Sequence, residues 1–344
     1  MFLRTEPGSR VLELSAAKAG NPLSPECITE LKHYLDMYKT NDSVGTVIFA
    51  SEDIHAFSRG LDADDLVANG EVMLRELSEL CVEMHNYKKP LLSVMGGAMN
   101  GTAAGTFANT KYRLATTETR LRLDEVVTGY VPTGGLAWHL VRGCNEGKAM
   151  ARYLAISQRQ INGLDLFTLG LATHVTETKP HDSLCHALGH TFLPNMTESK
   201  YKQEMSVDIG AMDELLSSMH ISSDIDVFQS DAWEQVLLVS PQEAEAAAGG
   251  PGAEEEEDPM DLSAIAAQVQ EVFAEGDVDT CLAKLAAIQE PWAQEAASLA
   301  PQLDKKVVQA WFDVTEAATS LPIEDVLALE TSKNHELIKQ ATTN

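Results

Sequence analysis

Three segments of the chain combine residue types that could stabilise or transfer charge. In HAFSRGLDADDL, residues 55–66, a glycine joins a strand-like to a helix-like stretch, and backbone N–H groups in such turns can stabilise an oxyanion. The small residues of GGAMNGTAAGT, 96–106, allow close approach of a ligand to the backbone, and helix-start amides attract negative charge. In 121–140, Glu125 precedes a Pro/Gly turn, where partial burial would raise its pKa towards the range of acid–base catalysis.

Each segment also has a plain structural interpretation. The first is equally an ordinary β–α loop, the second a close helix–strand contact, and Glu125 a solvated surface acid. Gly101 and Gly105 do not have the spacing of a dinucleotide-binding fingerprint, and the Gly-Lys-Ser/Thr end of a nucleotide P-loop is missing. Taken singly, none of the three segments identifies a function.

A histidine-rich stretch, HDSLCHALGH, raises the alternative of a metal site. His186 and His190 are four residues apart, with His181 and Cys185 nearby, and helical histidines at that spacing can bind zinc. A surface helix explains the same spacing without a ligand. We therefore predict no metal site.

The elements that would position these segments alternate between strands and helices in the first part of the chain. Short β-branched or alternating runs predict strands, and segments with apolar residues at helical spacing lie between them. The predicted strands are 10–15, 45–51, 89–97 and 111–123, and the predicted helices are 24–41 and 65–87. Such alternation favours parallel strands with crossover helices, the α/β class.

The remainder of the chain has helical patterns and one compositionally biased stretch. We predict a core at 1–195, a helical or irregular extension at 196–242 and a helical C-terminal module at 261–344. Between the last two, 243–260 combines Gly, Pro, Ala and a glutamate run, a composition typical of a flexible acidic linker.

Composition limits the classes of partner. The chain of 344 residues is 44% hydrophobic, as expected for a globular protein, and no apolar run is long enough to cross a bilayer. Its formal charge of −27 argues against direct binding of DNA and of anionic membrane, although it permits protein contacts within a nucleoprotein assembly. Five scattered cysteines without a CxxC motif favour a reduced, intracellular compartment.

Several motifs in order carry a family resemblance. AFSRGLD, KPLLSVMGGAMNGTAAG, KYRLATTETRLRLDEVVTGYVPTGG and LFTLGLATHV together resemble the crotonase (enoyl-CoA hydratase/isomerase) superfamily. The most similar branch is 3-hydroxyisobutyryl-CoA hydrolase, on KYRLAT, on Glu125 with Gly129 and Pro132, and on GLATHV. The resemblance spans roughly 8–185 and extends more weakly to TSLPIEDVLALETSKNHELIK.

The resemblance implies a spiral of ββα units, a helical C-terminal module and an acyl-CoA thioester as substrate, with no cofactor besides that coenzyme A. It implies that two backbone N–H groups, at Leu61 and Thr102, hold the thioester oxygen, with Gly101-Thr102-Ala103 at the family's three-glycine turn. It assigns the branch's catalytic Glu to Glu125 and places Thr133 at the position of its Asp.

Departures from the family pattern leave two functions open. Leu61 replaces a glycine, Thr133 does not ionise near neutral pH, and Gly105 stands where hydratases carry a second Glu, which argues against a hydratase. One function is hydrolysis of a short acyl-CoA thioester in valine breakdown, with Glu125 activating water. The other is that of an inactive structural subunit of a large mitochondrial assembly, such as the small subunit of the mitochondrial ribosome. Both imply a mitochondrial location, and the second implies protein partners or a homo-oligomer.

Overall fold

The structure, a computed structural model, describes residues 1–6, 9–15, 18–53, 55–176, 216–217 and 262–343. The strands within these ranges form two sheets. They are Phe2–Glu6 (β1), Ser9–Leu14 (β2), Thr46–Ser51 (β3), Ala56–Ser58 (β4), Leu91–Met95 (β5), Ala98–Asn100 (β6), Tyr112–Thr116 (β7), Arg120–Arg122 (β8), Ile161–Asn162 (β9) and His174–Thr176 (β10).

The main sheet has the order β1-β2-β3-β5-β7-β10. β1 and β2 form an antiparallel hairpin, and every other pairing in this sheet is parallel. β3 and β5 are buried along their whole length, as expected of strands covered on both faces. Parallel strands with crossover helices confirm the predicted α/β class.

A smaller sheet has the order β4-β6-β8-β9, with β9 antiparallel to β8. The chain passes from the main sheet to this one three times, from β3 to β4, from β5 to β6 and from β7 to β8. Each passage is followed by a helix, which gives the ββα repeat that the resemblance implies. The short strands matter for the candidate site because β6 and β8 end just before its main residues.

The helices of the first part connect and cover these strands. They are Pro25–Lys39 (α1), Ala63–His85 (α2), Gly101–Ala108 (α3), Glu125–Thr128 (α4), Leu136–Gly143 (α5), Gly147–Ser157 (α6) and Gly163–Thr168 (α7). Their starts follow local chemistry: Ser24 caps α1 through the N–H of Cys27, with Pro25 at the first helical position, and Asp62 caps α2.

The C-terminal part is helical and packs on the core. Its helices are Leu262–Phe273 (α8), Val278–Ala287 (α9), Pro291–Leu299 (α10), Lys305–Ala317 (α11) and Ile323–Thr343 (α12). The buried Arg152 of α6 donates to Thr315 Oγ and to the carbonyl of Phe273, and Trp311 Nε1 donates to the carbonyl of Ala151. Buried bonds of this kind fix the helical part against the core that carries the site.

One prediction about an element is wrong, one strand was missed, and other predictions lie beyond the described ranges. The single strand predicted at 111–123 is two strands in different sheets, β7 and β8, because Thr116–Thr119 forms a turn in which Thr119 Oγ donates to the carbonyl of Met95. The hairpin strand β1 was not predicted. The 243–260 linker, the histidine-rich stretch and nearly all of 196–242 lie outside the described residues, and the proposed domain boundaries stay predictions.

Candidate active site

Glu125 begins α4 and points into the protein interior. Its side chain is fully buried, whereas the preceding Asp124 pairs with Arg122 nearer the surface. Glu125 Oε1 accepts a hydrogen bond of 2.6 Å from the N–H of Thr102, and Oε2 accepts one of 3.3 Å from the N–H of Gly101. Burial raises the pKa of Glu125 to about 7, and the hydrogen bonds from Thr102 offset part of that rise.

The donors to Glu125 are the first two amides of α3, the end of a helix where N–H groups have no partner within the helix. The third amide, of Ala103, donates to the side-chain oxygen of Asn100 at 3.0 Å. All three leading N–H groups are therefore occupied. Gly101 gives Glu125 room, because a Cβ would lie 3.0 Å from Glu125 Oε2 and 2.9 Å from the Pro132 side chain and would force these neighbours to shift.

Asn100 connects the turn that carries Leu61 to the start of α3. The Asn100 side-chain nitrogen donates to the carbonyl of Arg59 at 2.6 Å, which fixes the 59–61 turn to the start of α3. Gly60 and Asp62 form the parallel bridge to Leu23, so the N–H of Leu61 faces away from that bridge. The side chain of Leu61 is 3% exposed and belongs to the hydrophobic core.

Thr133 contacts a second buried acid that the sequence did not reveal. Its hydroxyl donates to Oε2 of Glu330 on α12 at 3.1 Å, and the N–H of Gly135 donates to the same oxygen at 2.9 Å. Glu330 is fully buried, and its Oε1 has no hydrogen-bond partner among the described residues. Burial raises the pKa of Glu330 to about 8, against the opposing hydrogen bonds from Gly135 and Thr133.

The same helix holds the turn at a second point. Asn334, one helical turn after Glu330, accepts from the N–H of Val131 at 2.8 Å and donates to its carbonyl at 3.0 Å. The backbone N–H of Thr133 in turn donates to Thr102 Oγ at 3.3 Å. A continuous polar path therefore runs from Glu330 through Thr133 and Thr102 to Glu125.

The structure thus brings four of the five predicted site residues into direct contact. Gly101, Thr102, Glu125 and Thr133 form one buried cluster, and the turn that leads to Leu61 is joined to it by the hydrogen bond from Asn100 to the Arg59 carbonyl. Sequence reasoning missed Asn100, Glu330 and Asn334. Only Asn100 had a signal, since asparagine is a preferred residue just before a helix.

Comparison with known proteins identifies the family. A model of the enoyl-CoA hydratase/isomerase family matches residues 9–237. The chain belongs to that family. A carnitinyl-CoA dehydratase from Mycobacterium thermoresistibile has the same fold, with a TM-score of 0.73 at 20% identity over 98% of this chain and 85% of that one.

Curated relatives match a smaller share of this chain, about half of it. A probable 3-hydroxyisobutyryl-CoA hydrolase 3 of Arabidopsis thaliana is 28% identical over 173 residues, 48% of this chain and 45% of that protein. The small ribosomal subunit protein mS47 of the same plant is 25% identical over 174 residues, 48% of this chain and 42% of that protein. The chain spans about half the length of these relatives.

The position where hydratases of this family carry a second acid has no room for one. A Cβ at Gly105 would lie 2.4 Å from the Thr133 carbonyl oxygen and 2.7 Å from the Leu136 nitrogen. Real Cβ atoms do not approach backbone atoms so closely, and a glutamate there would displace the 133–136 turn. The steric limit agrees with the sequence argument against a two-carboxylate hydratase.

Metal-binding clusters and membrane-spanning helices are both missing from the described part of the chain. In those ranges no group of three or more His, Cys, Asp or Glu side chains could hold a metal ion. The histidines 181, 186 and 190 fall outside them. None of the described helices has the length and apolar character needed to span a membrane.

Proposed function

We propose that this chain is a non-hydrolytic member of the 3-hydroxyisobutyryl-CoA hydrolase branch that acts as a structural subunit of a larger mitochondrial assembly. The observation that carries the proposal is the position of Glu125. Its carboxyl group binds the amides of Gly101 and Thr102, the helix start at which the family resemblance places a thioester oxygen. An acyl-CoA oxygen and the Glu125 carboxyl therefore compete for the Thr102 amide, one of the two donors that the resemblance implies.

The competition favours the internal carboxyl group. Hydrogen bonds to charged groups contribute roughly 1.5–3 kcal/mol each, and the intramolecular acid needs no binding step. Vacating the amides would also leave two buried N–H groups unsatisfied until a substrate arrived. Packing adds to the obstacle, because the buried Leu61 side chain stands where the family has glycine and narrows the space for a thioester.

A structural role is supported by one of the relatives. The name of the plant protein mS47 places it in a small ribosomal subunit, and its match to this chain is nearly as extensive as those of the hydrolases. Relatives named as mitochondrial, such as a 3-hydroxyisobutyryl-CoA hydrolase of Danio rerio, support the proposed location. Protein contacts suit the charge of −27 better than contacts with bare nucleic acid.

Sedimentation of the native protein from a mitochondrial extract tests the structural role. We expect it to sediment with a particle far larger than the chain. It should remain with that particle after washing in a buffer that contains no nuclease. Sedimentation entirely as a monomer or small oligomer would contradict the proposal.

A second candidate function, thioester hydrolysis, is favoured by the pKa of Glu125. A carboxyl group with a pKa of about 7 has the acidity of a general base at neutral pH, and rotation of its side chain would release the amides for a substrate. In this function the N–H groups of Thr102 and Leu61 would bind the thioester oxygen, and Glu125 would activate water.

Kinetics separate the two functions. If the protein is a hydrolase, Glu125→Ala lowers the rate on 3-hydroxyisobutyryl-CoA by about 10²–10⁴-fold. Glu118→Ala, which removes an acid on the β7–β8 turn, should leave the rate unchanged and serves as the matched control. We expect instead that wild type and both variants hydrolyse the thioester at the same background rate. Titration with coenzyme A then shows whether the site still binds the nucleotide part of the substrate.

A further inference from the structure

A cavity of about 550 Å³ lies at the opposite end of α3 from Glu125. It is bounded by the end of α2 and the residues after it, by the residues that follow α3, by α5 from Trp138 to Gly143 and by Gly170. Because α3 has eight residues at 1.5 Å each, its two ends are about 12 Å apart. The cavity is therefore separate from the candidate active site, and binding of a ligand in it does not depend on the proposed function.

The lining of this cavity has an unusual charge for this protein. Four of its side chains are basic, Lys89, Lys111, Arg113 and Arg142, and none is acidic. The chain as a whole has 52 acidic residues for 25 Lys and Arg. Because acidic residues outnumber basic ones about two to one in this chain, a randomly composed cavity wall would be expected to include acids. This wall has four basic side chains and no acid.

Three of the four basic side chains are held by neutral oxygens, and the Lys111 ammonium lies 4.9 Å from the centre of the Tyr112 ring. Arg113 donates to the carbonyls of Thr110, Gly170 and Leu171, and Arg142 donates to those of Ala318 and Leu321. Lys89 donates to the carbonyls of Tyr38 and Asn41. Within the described residues, none of the four basic groups of the cavity forms an ion pair. The carbonyl groups fix the positions of Lys89, Arg113 and Arg142, but being neutral they do not cancel the positive charge of these side chains.

Other titratable groups also lie in or near the cavity. His139 lines the cavity, and burial lowers its pKa to about 3, with further lowering by Arg113 and His85. Asp42 and Glu324 act on Lys89 and His85 from outside the lining. Trp138, also on the wall, carries a buried Nε1–H without an acceptor among the described residues.

Stabilisation of the α3 C-terminus explains part of this arrangement. Cations near a helix C-terminus interact favourably with its dipole, and Arg113 does bind the Thr110 carbonyl just beyond α3. That effect does not account for Arg142, which comes from α5 and stacks 4.9 Å from the Trp138 ring, or for Lys89, which precedes β5. Basic groups from separate elements converge on one concave space.

We propose that this cavity binds a small molecule through a phosphate or pyrophosphate group. Two guanidinium and two ammonium groups match the charge of a ligand with at least two negative charges. Of the five N–H donors of a guanidinium, Arg113 uses three and Arg142 two on backbone carbonyls, and the others suit phosphate oxygens. The volume lies in the usual range of small-molecule sites. A long polyanion such as RNA fits less well, because the charge of −27 repels it outside the cavity.

Calorimetric titration of the full chain with ADP and with inorganic pyrophosphate tests the site. We expect binding with a Kd below about 1 mM that weakens as salt is added. Lys111→Gln and Arg142→Gln should each weaken it about fivefold or more. Lys88→Gln removes the same charge from an exposed neighbour outside the cavity and should change the Kd less than about twofold.

The controls distinguish the site from loss of folding and from diffuse charge. Arg142→Lys keeps the positive charge but loses one hydrogen bond to the connection between α11 and α12. If this variant has a changed Tm but still binds the probes, ligand binding depends on the charge at position 142 and not on the stability of the fold. Tighter binding of ADP than of pyrophosphate identifies a nucleotide ligand, and equal binding identifies the phosphate group alone. The proposal is overturned if neither probe binds at millimolar concentration, if Lys88→Gln weakens binding as much as Lys111→Gln, or if a short RNA binds more tightly than both probes and loses affinity in the same variants.

Discussion

Introducing at position 133 the aspartate that the family resemblance implies should destabilise this protein. In Thr133→Asp the new carboxylate replaces a hydroxyl that lies 3.1 Å from Glu330 Oε2 and is itself 2% exposed. Two carboxylates about 4 Å apart repel each other by about 4 kcal/mol at the effective dielectric constant usual for proteins. We therefore expect the variant to lose about that much unfolding free energy when both groups are ionised.

The loss of unfolding free energy should depend on pH, because it depends on whether Glu330 is protonated. Because the pKa of Glu330 is about 8, its carboxyl group is protonated at pH 6 and can donate a hydrogen bond to the new carboxylate. Repulsion from the new carboxylate would raise the pKa of Glu330 further, so the destabilisation of Thr133→Asp should be small at pH 6 and grow above pH 8 by up to about 1.4 kcal/mol per pH unit. Urea unfolding at the two pH values measures it.

A double-mutant cycle isolates the interaction. Thr133→Asn has the shape of the aspartate without its charge and is the matched control. The double variant Thr133→Asp with Glu330→Gln removes one of the two charges, so it should recover most of the loss above pH 8. Equal destabilisation by the Asp and Asn variants above pH 8, without coupling to Glu330→Gln, would refute the assignment of Glu330 as the buried partner of position 133.

The same contacts give three further predictions. The folded protein keeps the proton of Glu330 up to about pH 8, whereas the unfolded chain releases it near the ordinary value of 4.5, so unfolding free energy falls as pH rises through that window. Glu330→Gln should remove about 2 kcal/mol of the fall between about pH 6 and pH 8 in urea unfolding, whereas the exposed Glu336→Gln should leave it unchanged. Asn334→Ala strands the N–H and carbonyl of Val131 and should cost about 2–4 kcal/mol by thermal unfolding, against less than about 0.5 for the exposed Ser332→Ala. Gly105→Ala should lower stability by about 1–3 kcal/mol, because its Cβ would press on the Thr133 carbonyl, and unchanged stability would show that the turn yields freely.

Local signals in the sequence predicted much of the fold. Ser24-Pro25 marks the start of α1, and the β-branched run at 45–51 becomes the buried strand β3. The short strands were not predictable in the same way, because β4, β6, β8 and β9 have only two or three residues each. Two or three residues are too few to show a hydrophobic period. Strands this short form because a neighbouring strand of the folded chain is positioned to pair with them.

Only those parts of the candidate site that are close together in the sequence were predictable. Glu125 and the turn after it are contiguous in sequence, and order along the chain carried the family resemblance. Glu330 contacts Thr133 across 197 positions, and no periodicity or motif indicates a pairing over such a distance. The capture of the α3 amides by Glu125 is likewise a consequence of side-chain direction in the folded protein, which residue types do not specify.

The two buried acids have the same structural role at two different helices. Glu125 binds the leading amides of α3, and Glu330 binds the amide of Gly135 at the start of α5. Each satisfies helix N–H groups that would otherwise be buried without an acceptor, at the cost of the burial that raises its own pKa. An acid engaged in holding a helix start is not free to activate water without giving up that contact. Glu125, which the family resemblance implies to be a catalytic acid, therefore has a structural role that does not require catalysis. For this reason the kinetics of the Glu125 variant, and not the presence of the glutamate in the sequence, decide the function.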